Sequence, residues 1–159
     1  MRRRFGEWIA KQSLDDDSIY LLVGDIGYGI FDKFREQSPD RFINVGCCEQ
    51  TMIGIAAGMA LSELKPYVYT ITPFLIERTF EQIKIDIDLN NVDVKLIGYD
   101  DYASQGPTHE LVKNGNYMKM FENIESFWPV DSDEVEDFLR YSYKNKKPTF
   151  MRLRKDRGC

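Results

Sequence analysis

The residue in this sequence best suited to chemistry is a single carboxylate, Glu49. It precedes a run of residues, Gln50–Ser62, that carries no formal charge. A carboxyl group that is partly withdrawn from water has a raised pKa, so it can share a proton with a hydrogen-bonded partner. The alternative is an acid in the first turn of a helix, which the helix dipole stabilises by only ~0.3–1 kcal/mol. Position alone favours this second interpretation.

The other reactive side chains are one histidine, His109, and three cysteines. Cys47 or Cys48 could act as a nucleophile with His109 as its base, but cysteines that are merely buried in the core are more common and are the interpretation we favour. The two adjacent cysteines would pair only with strain, and Cys159 makes the number odd, which is typical of a reducing cytoplasm. No cysteine or histidine has zinc-ligand spacing, so we expect no metal ligands in this chain.

Three common motifs are missing from the sequence. There is no Gly-x4-Gly-Lys-Ser/Thr phosphate loop and no Gly-x-Ser-x-Gly nucleophile elbow. The segment GDIGYG, residues 24–29, has closely spaced glycines but not the Gly-x-Gly-x-x-Gly order of a dinucleotide-binding turn. The sequence therefore does not indicate a P-loop enzyme or an α/β-hydrolase, and only weakly a dinucleotide-binding protein.

Length and composition describe one globular domain. The chain has 159 residues, of which 43% are hydrophobic and 30% charged, and its net charge of −5 argues against a nucleic-acid surface. The uncharged runs Gln50–Ser62 and Pro66–Ile76 are too short to span a bilayer. The basic start Arg2–Arg4 is not followed by the apolar segment of a signal peptide. We expect a cytoplasmic protein.

Hydrophobic periodicity predicts alternating strands and helices. Continuous apolar runs bounded by turn residues are typical of strands buried on both faces of a parallel sheet, and apolar residues at helical spacing predict the helices. The predicted strands cover residues 19–25, 41–46, 67–72, 94–99, 124–130 and 148–154, and the predicted helices residues 3–12, 28–40, 49–64, 73–89, 109–121 and 131–146. This alternation predicts an α/β fold with a mostly parallel sheet of about six strands flanked by helices.

Three segments follow predicted strands closely enough to form a site. They are Gly24–Asp25, Gly46–Gln50 and Ser104–His109. Ligands of open parallel sheets bind beyond the carboxyl ends of the strands. We therefore expect Glu49 to lie near the other two segments.

The central part of the sequence resembles a known family. The stretch PDRFINVGCCEQTMIGIAAGMALSELKPYVYTITPFLIERTFEQI, together with VKLIGYDDYASQGPTHE and PTFMRLR, resembles the pyrimidine-binding domain of transketolases, particularly the split, two-subunit type. The resemblance extends from about Tyr20 to Lys155. In that family NVG leads to AEQ and a Gly/Ala-rich helix, so Cys48 replaces the usual alanine. These enzymes depend on thiamine diphosphate.

The resemblance implies cofactor contacts. Glu49 matches the catalytic glutamate that hydrogen-bonds N1′ of the aminopyrimidine ring, and Phe74 matches the aromatic residue that stacks on that ring. Thr70 and Ile71 should line the same pocket. Asp25 matches an acid near the cofactor across a subunit boundary, although an acid that only forms a turn is an equally good interpretation.

The resemblance also implies substrate contacts. His109, in GPTH, matches a histidine that contacts the donor substrate and assists proton movements. Gln105 replaces an acid that reads sugar hydroxyls in ordinary transketolases, so the preferred sugar is expected to differ. Arg154 or Lys155 matches an arginine that receives the substrate phosphate, with an ambiguity of one residue.

The family's diphosphate-binding domain and its C-terminal domain have no counterpart in this sequence. We therefore expect residues 1–159 to be a single pyrimidine-binding domain that acts with a diphosphate-domain partner, which would supply the Mg²⁺ ligands. The implied reaction is transfer of a two-carbon ketol unit between sugar phosphates, in a heterotetramer or after self-association as a homodimer. Two alternatives stay open: half of another thiamine diphosphate enzyme, either deoxyxylulose-phosphate synthase-like or 2-oxoacid-processing, and a non-catalytic interaction module.

Overall fold

A six-stranded, wholly parallel sheet forms the centre of the molecule. The computed structural model describes residues 1–100, 105–111 and 117–155. The strands are β1 (Ile19–Val23), β2 (Phe42–Asn44), β3 (Lys65–Ile71), β4 (Lys95–Tyr99), β5 (Glu125–Phe127) and β6 (Thr149–Leu153), and their order in the sheet is β2-β1-β3-β4-β6-β5. The predicted fold class is confirmed, and every strand pair is parallel.

Helices cover both faces of the sheet. They are α1 (Arg2–Gln12), α2 (Asp32–Gln37), α3 (Glu49–Leu61), α4 (Thr72–Ile76), α5 (Phe80–Gln82) and α6 (Ser132–Asn145). In α6 the carboxylate of Asp131 accepts hydrogen bonds from the backbone N–H groups of Asp133 and Glu134, both at 2.9 Å, which satisfies two donors at the helix start. Among the described residues, no helix has both the length and the apolar character needed to cross a membrane.

The side chains of each central strand alternate between two separate cores. Leu22, Val68, Leu96 and Phe150 are in register on four neighbouring strands and pack with α3, α4 and the segment after α5. The next residue of each of these strands faces the other way and packs with α1 and α6. Because both faces are covered, the strands consist of continuous apolar runs, which is why the sequence predicts them well.

The helix predicted over residues 73–89 is interrupted. The hydroxyl of Thr79 donates a hydrogen bond to the carbonyl oxygen of Leu75, and the chain re-enters a helix at Phe80, then widens into a π-helix over Ile83–Asp88. The buried residues on either side of the interruption, Leu75, Ile76 and Ile83, still pack in the same core.

The helix predicted over residues 109–121 is present in the described part only as two 3₁₀ turns. One covers Pro107–His109 and the other covers Tyr117–Met120. Proline at the start of the first turn has no N–H to donate, so it suits a short turn of this kind. Two residues named in the sequence analysis, Ser104 and Cys159, lie outside the described residues.

Candidate active site

The candidate site lies at the carboxyl edge of the sheet, where all parallel strands end together. Asp25 follows β1, Glu49 opens α3 after β2, and Phe74 lies in α4 directly after β3. His109 reaches the same place from the loop after β4, because its ring centroid lies 4.8 Å from that of Phe74, at an angle of 65°. The fold therefore brings together side chains that are far apart in the sequence.

Glu49 is a buried carboxylate with one cationic neighbour. Its side chain is only 4% exposed, and both of its oxygens lie 3.4 Å from Nη1 of Arg78. Gly24, at the end of β1, lies against it: a Cβ atom at this glycine would be 3.6 Å from Cγ of Glu49 and only 2.8 Å from Oγ1 of Thr70. A larger residue at position 24 would thus collide with the site, so the glycine is required for close packing.

Phe74 carries the guanidinium of Arg78 on its ring. The Cζ atom of Arg78 lies 3.5 Å from the ring centroid, which is a close cation–π contact. Phe74 is half-buried, and its stacking on a pyrimidine ring stays a prediction. The Oγ1 atom of Thr108 lies 3.0 Å from Nδ1 of His109, which helps to orient that ring.

The end of β3 lines the floor of the site. Thr70 and Ile71 are buried, as is Thr72 at the start of α4. The Oγ1 atoms of Thr70 and Thr72 are both enclosed and have no hydrogen-bond partner among the described residues. A buried hydroxyl without a partner is unfavourable, so these two oxygens indicate where a ligand or water would supply one.

Asp25 is exposed and held by two neighbours. Its carboxylate accepts hydrogen bonds from Nδ2 of Asn44 at 3.0 Å and from the hydroxyl of Tyr28 at 2.7 Å, and these bonds lower its pKa. The amide oxygen of Asn44 accepts in turn from the backbone N–H groups of Asp25 and Gly46. Asp25 has a positive φ of 53°, so it forms the turn after β1, and its approach to a cofactor stays a prediction.

Two depressions open at this edge of the molecule. One, of about 400 Å³, lies beside Glu49 and is lined by Cys47, Cys48, Gln50, Thr51 and Arg78. Both cysteines are exposed, so the interpretation of them as buried core residues is wrong. They lie in the open turn between β2 and α3, where apolar strands no longer cover the chain.

The second depression is cationic and measures about 570 Å³. Its lining includes Arg2, Arg3, Arg154, Lys155 and Tyr28, and the hydroxyl of Tyr28 connects it to Asp25. The Arg2 guanidinium lies 3.9 Å from the ring centroid of Tyr99, which fixes its direction. Four cations around one depression suit an anionic group such as a phosphate. Gln105 is exposed, four residues before His109.

Comparison with known proteins identifies the family of this chain. A sequence model of the family described as "Transketolase, pyrimidine binding domain" matches residues 1–159. The chain belongs to this family. It is the pyrimidine-domain half of a family of thiamine diphosphate enzymes that includes split transketolase and 1-deoxy-D-xylulose-5-phosphate synthase relatives.

Two curated relatives illustrate the range of the family. One is a subunit of the apulose-4-phosphate transketolase of Actinobacillus succinogenes, which is 38% identical over 123 residues, or 76% of this chain and 40% of that protein. The 1-deoxy-D-xylulose-5-phosphate synthase of a Marinomonas species is 30% identical over 162 residues, covering 97% of this chain and 25% of the synthase. The chain thus spans less than half the length of either relative.

Solved structures agree on the fold. A structure described as a split gene transketolase, inactive beta4 tetramer, superposes with a TM-score of 0.86 at 24% identity and covers 98% of this chain and 51% of that one. The transketolase of Campylobacter jejuni superposes with a TM-score of 0.82 at 19% identity, over 96% of this chain and 25% of its own. The likeness confirms the pyrimidine-domain fold.

The observed site fits a pyrimidine ring. It offers an aromatic face at Phe74, a buried carboxylate at Glu49 and the unpartnered hydroxyl of Thr70. Among the residues that the structure describes, no group of three or more histidine, cysteine, aspartate or glutamate side chains is arranged to hold a metal ion.

Sequence reasoning missed several residues of this edge. Arg78 and Arg2 were not singled out, although both carry charge next to predicted apolar positions, and Asn44 and Tyr28 were read only as parts of a strand and a helix. The signal for Asn44 is its position as the last residue of β2, directly before the turn to Glu49. No sequence signal marks Arg78, because a charged residue on a predicted amphipathic helix is normally solvated.

Proposed function

We propose that this chain is the pyrimidine-binding subunit of a transketolase-like transferase that moves a two-carbon ketol unit between sugar phosphates with thiamine diphosphate. Residues 1–159 would form one pyrimidine-binding domain. The observation that carries the proposal is the pairing of a nearly inaccessible carboxylate, Glu49, with the half-buried aromatic ring of Phe74 at the carboxyl edge of the sheet. This pairing matches an aminopyrimidine, which has a flat face and a ring nitrogen that can share a proton.

Glu49 and Phe74 would act on the pyrimidine end of the cofactor. Glu49 would hold a proton at N1′ of the ring, and its burial makes that hydrogen bond strong. Phe74 would support one face of the ring, and the hydroxyl of Thr70, with Ile71 beside it, would line the pocket. Asp25 would approach the cofactor from the β1 turn. When bound, the cofactor supplies the carbanion chemistry, while these residues hold its geometry and its protons.

His109 and the cationic depression would act on the substrate. His109 adjoins Phe74 and so would lie next to the reacting carbon, where it would move protons to and from substrate oxygens. Gln105 would contact the sugar hydroxyls. Arg154 and Lys155, joined by Arg2, would bind the sugar phosphate, because guanidinium and ammonium groups hold phosphate oxygens strongly.

A partner protein would complete the enzyme. The outer face of α3 supports this, because it is exposed yet uncharged: it presents Gln50, Thr51, Gly54, Ile55, Gly58 and Leu61, and Leu61 is 68% exposed. The partner would carry the diphosphate-binding domain and the Mg²⁺ ligands, in a heterotetramer, or a second copy would pair in a homodimer. Relatives described as one subunit of a transketolase and as a split-gene transketolase point the same way.

A second candidate reaction is that of a synthase which uses a 2-oxoacid donor. Matches to 1-deoxy-D-xylulose-5-phosphate synthases favour it, since the one from Acinetobacter baumannii is 32% identical over 97% of this chain. The match to the apulose-4-phosphate transketolase has higher identity but covers 76% of the chain. Both reactions would use Glu49, Phe74 and His109 in the same way, and they differ in the donor.

The test is reconstitution with a diphosphate-domain protein. The chain is co-expressed with a diphosphate-domain protein encoded beside it, and the purified complex is supplied with thiamine diphosphate and Mg²⁺. Transfer is then measured from a ketose phosphate and, separately, from a 2-oxoacid. Glu49→Ala should abolish transfer, whereas Glu36→Gln, which changes an exposed carboxylate on α2, should leave it unchanged.

The outcomes of this experiment separate the hypotheses. Transfer from the ketose phosphate alone supports a transketolase, and transfer from the 2-oxoacid alone supports a synthase. Equal activity of the wild type and the Glu49→Ala variant would overturn the catalytic assignment. If the chain forms no complex and binds no thiamine diphosphate, it is an interaction module that retains the fold.

A further inference from the structure

One side chain, Arg78, makes both contacts that an aminopyrimidine ring would make in this site. Its guanidinium is planar and lies 3.5 Å above the ring centroid of Phe74. Its Nη1 atom lies 3.4 Å from each carboxylate oxygen of Glu49. A pyrimidine ring stacked on Phe74 and hydrogen-bonded to Glu49 would need the same space.

We propose that Arg78 is a placeholder for the cofactor's pyrimidine ring: it occupies the pocket in the free chain and swings out when thiamine diphosphate binds. This inference rests on the proposed function and adds a residue that controls cofactor loading. Arg78 does not act on the reacting atoms. It is a positioning residue, which keeps Glu49 paired and the face of Phe74 covered until the cofactor arrives.

The burial of Glu49 explains why a placeholder is needed. A carboxylate that is 4% exposed pays a large desolvation penalty unless a cation or several donors compensate it. Its described cationic partner is Arg78, and the nearby hydroxyl of Thr70 has no hydrogen-bond partner. Without Arg78, the empty site would therefore hold an uncompensated charge.

The contacts of Arg78 are also weak enough to be exchanged. Its side chain is 42% exposed, and the 3.4 Å separation from Glu49 is longer than the 2.7–2.9 Å typical of a strong charge-assisted hydrogen bond. The guanidinium itself is partly hydrated already, so it needs little further exposure to leave. An incoming ring that stacks on Phe74 and hydrogen-bonds to Glu49 would replace both of its contacts, so the carboxylate would not be left uncompensated.

The chain is built locally to aim Arg78 at the pocket. Arg78 lies in the interruption between α4 and α5, where the hydroxyl of Thr79 holds the carbonyl of Leu75. In a continuous helix, a residue four positions after Phe74 would lie over the preceding turn and would keep a fixed direction. At the interruption the side chain of Arg78 is 42% exposed, so a change of its own side-chain torsions can point it to Glu49 or away from it.

A placeholder lowers the apparent affinity for the ligand that it mimics. The measured dissociation constant equals the intrinsic one divided by the fraction of molecules whose pocket is open. Removing Arg78 should therefore strengthen cofactor binding. If the guanidinium instead helped to bind the cofactor, its removal would raise the dissociation constant. If it only supported the fold, its removal would leave the constant unchanged.

The first experiment uses isothermal titration calorimetry to measure thiamine diphosphate binding to the complex with the diphosphate-domain protein. Arg78→Gln is expected to bind about 3- to 10-fold more tightly than the wild type, because the pocket is no longer closed. The matched control is Arg35→Gln, since Arg35 is 51% exposed and lies 3.5 Å from its partner Asp32 in α2. The control should bind as the wild type does.

The second experiment needs no activity. In the free chain labelled with ¹⁵N-arginine, the Nε–H resonance of Arg78 is assigned by its loss in Arg78→Gln. Phe74→Leu should move this resonance, because the ring current of Phe74 acts on a guanidinium 3.5 Å away. Adding thiamine diphosphate to the wild-type complex should shift it towards the position of a solvent-exposed arginine.

The outcomes distinguish this inference from the proposed function. If the wild type binds thiamine diphosphate and Arg78→Gln binds it equally or more weakly, only the placeholder is overturned. If the Arg78 resonance has the same chemical shift in Phe74→Leu as in the wild type, the placeholder is overturned as well. If neither the wild type nor Arg78→Gln binds the cofactor, the proposed function fails and the placeholder fails with it.

Discussion

The two edges of the sheet differ in how their charged groups are paired. At the amino edge, the carboxylate of Asp16 accepts hydrogen bonds from Nζ of Lys65 at 2.6 Å and from the hydroxyl of Tyr143 at 2.7 Å. Arg41 donates to the carbonyl oxygens of Asp16 and Ser13, both at 3.0 Å. At this edge the charged groups bind one another and connect α1, α6 and three strands.

The carboxyl edge leaves its polar groups available. Glu49 and Arg78 are separated by 3.4 Å, and within the described residues the hydroxyls of Thr70 and Thr72 have no hydrogen-bond partner. Mutual satisfaction stabilises a fold, whereas groups without firm partners are those that can bind something else. The contrast indicates that the amino edge maintains the structure, and we propose that the carboxyl edge performs the chemistry; four predictions test that division.

The largest effect is expected for Glu49→Gln. Glutamine keeps the shape but cannot hold a proton for the pyrimidine ring, so turnover of the reconstituted complex should fall ~10²- to 10⁴-fold, the range for loss of a general acid–base group. The free energy of unfolding should change by less than ~1 kcal/mol, because glutamine loses the long 3.4 Å pair with Arg78 but also removes the cost of burying a charge. Steady-state kinetics and urea denaturation measure the two. A large loss of stability with normal turnover would reverse the proposed division.

The next effect is expected for Asp16→Ala at the opposite edge. This change removes the acceptor of Lys65, Tyr143 and Ser18, so the free energy of unfolding should fall by ~2–3 kcal/mol. Urea denaturation measures it, with Asp15→Ala as the control because Asp15 is the exposed neighbour. Cofactor affinity of the folded fraction should stay unchanged, and a change in affinity would show that the two edges are coupled.

A smaller effect is expected in acid. Burial raises the pKa of Asp16, but hydrogen bonds from Lys65, Ser18 and Tyr143 outweigh it and hold this pKa well below the ordinary value of 3.8. The native state therefore keeps the carboxylate ionised after the unfolded state has protonated, so its contribution is present above pH 3.8 and is lost as the pH falls below it. Stability measured from pH 5 to pH 2 should fall less steeply in Asp16→Asn than in the wild type. Equal slopes would contradict the assignment.

The smallest effect is expected for Lys155→Gln at the cationic depression. Loss of one charged contact to the sugar phosphate should raise KM about 10-fold and leave kcat nearly unchanged, since the contact is made in the ground state and the transition state alike. Lys144→Gln, on the exposed side of α6, is the control. With an unphosphorylated sugar, the variant and the wild type should have the same KM. A persistent difference would mean that Lys155 does not bind the phosphate.

The hydrophobic pattern of the sequence predicted most of the fold, but it did not predict where a helix is interrupted. Six strands were predicted within a few residues of their bounds, because burial on both faces makes them continuously apolar. The helix over residues 73–89 was predicted as continuous. Its interruption coincides with a hydrogen bond from the side chain of Thr79 to the carbonyl oxygen of Leu75, and such a bond cannot be inferred from the hydrophobic pattern.

The candidate site was predicted in part, through resemblance to a family. Glu49, Phe74, Thr70 and His109 lie together at one edge, as that resemblance implied, although their functions stay predictions. Arg78 could not be predicted in the same way, because a charged residue on an amphipathic helix is normally solvated. Its contact with Glu49 arises only when the chain folds and the interrupted helix turns it inward.

The shortness of the two outer strands limits how this domain can associate. The described sheet ends in β2 on one side and β5 on the other, and each has three residues. An outer strand this short offers few free backbone groups to an incoming strand, so extension of the sheet between molecules is disfavoured. The association that we propose would then depend on side chains, above all on the uncharged face of α3. Side chains differ from protein to protein while backbone groups do not, so an interface of this kind would make the choice of partner specific.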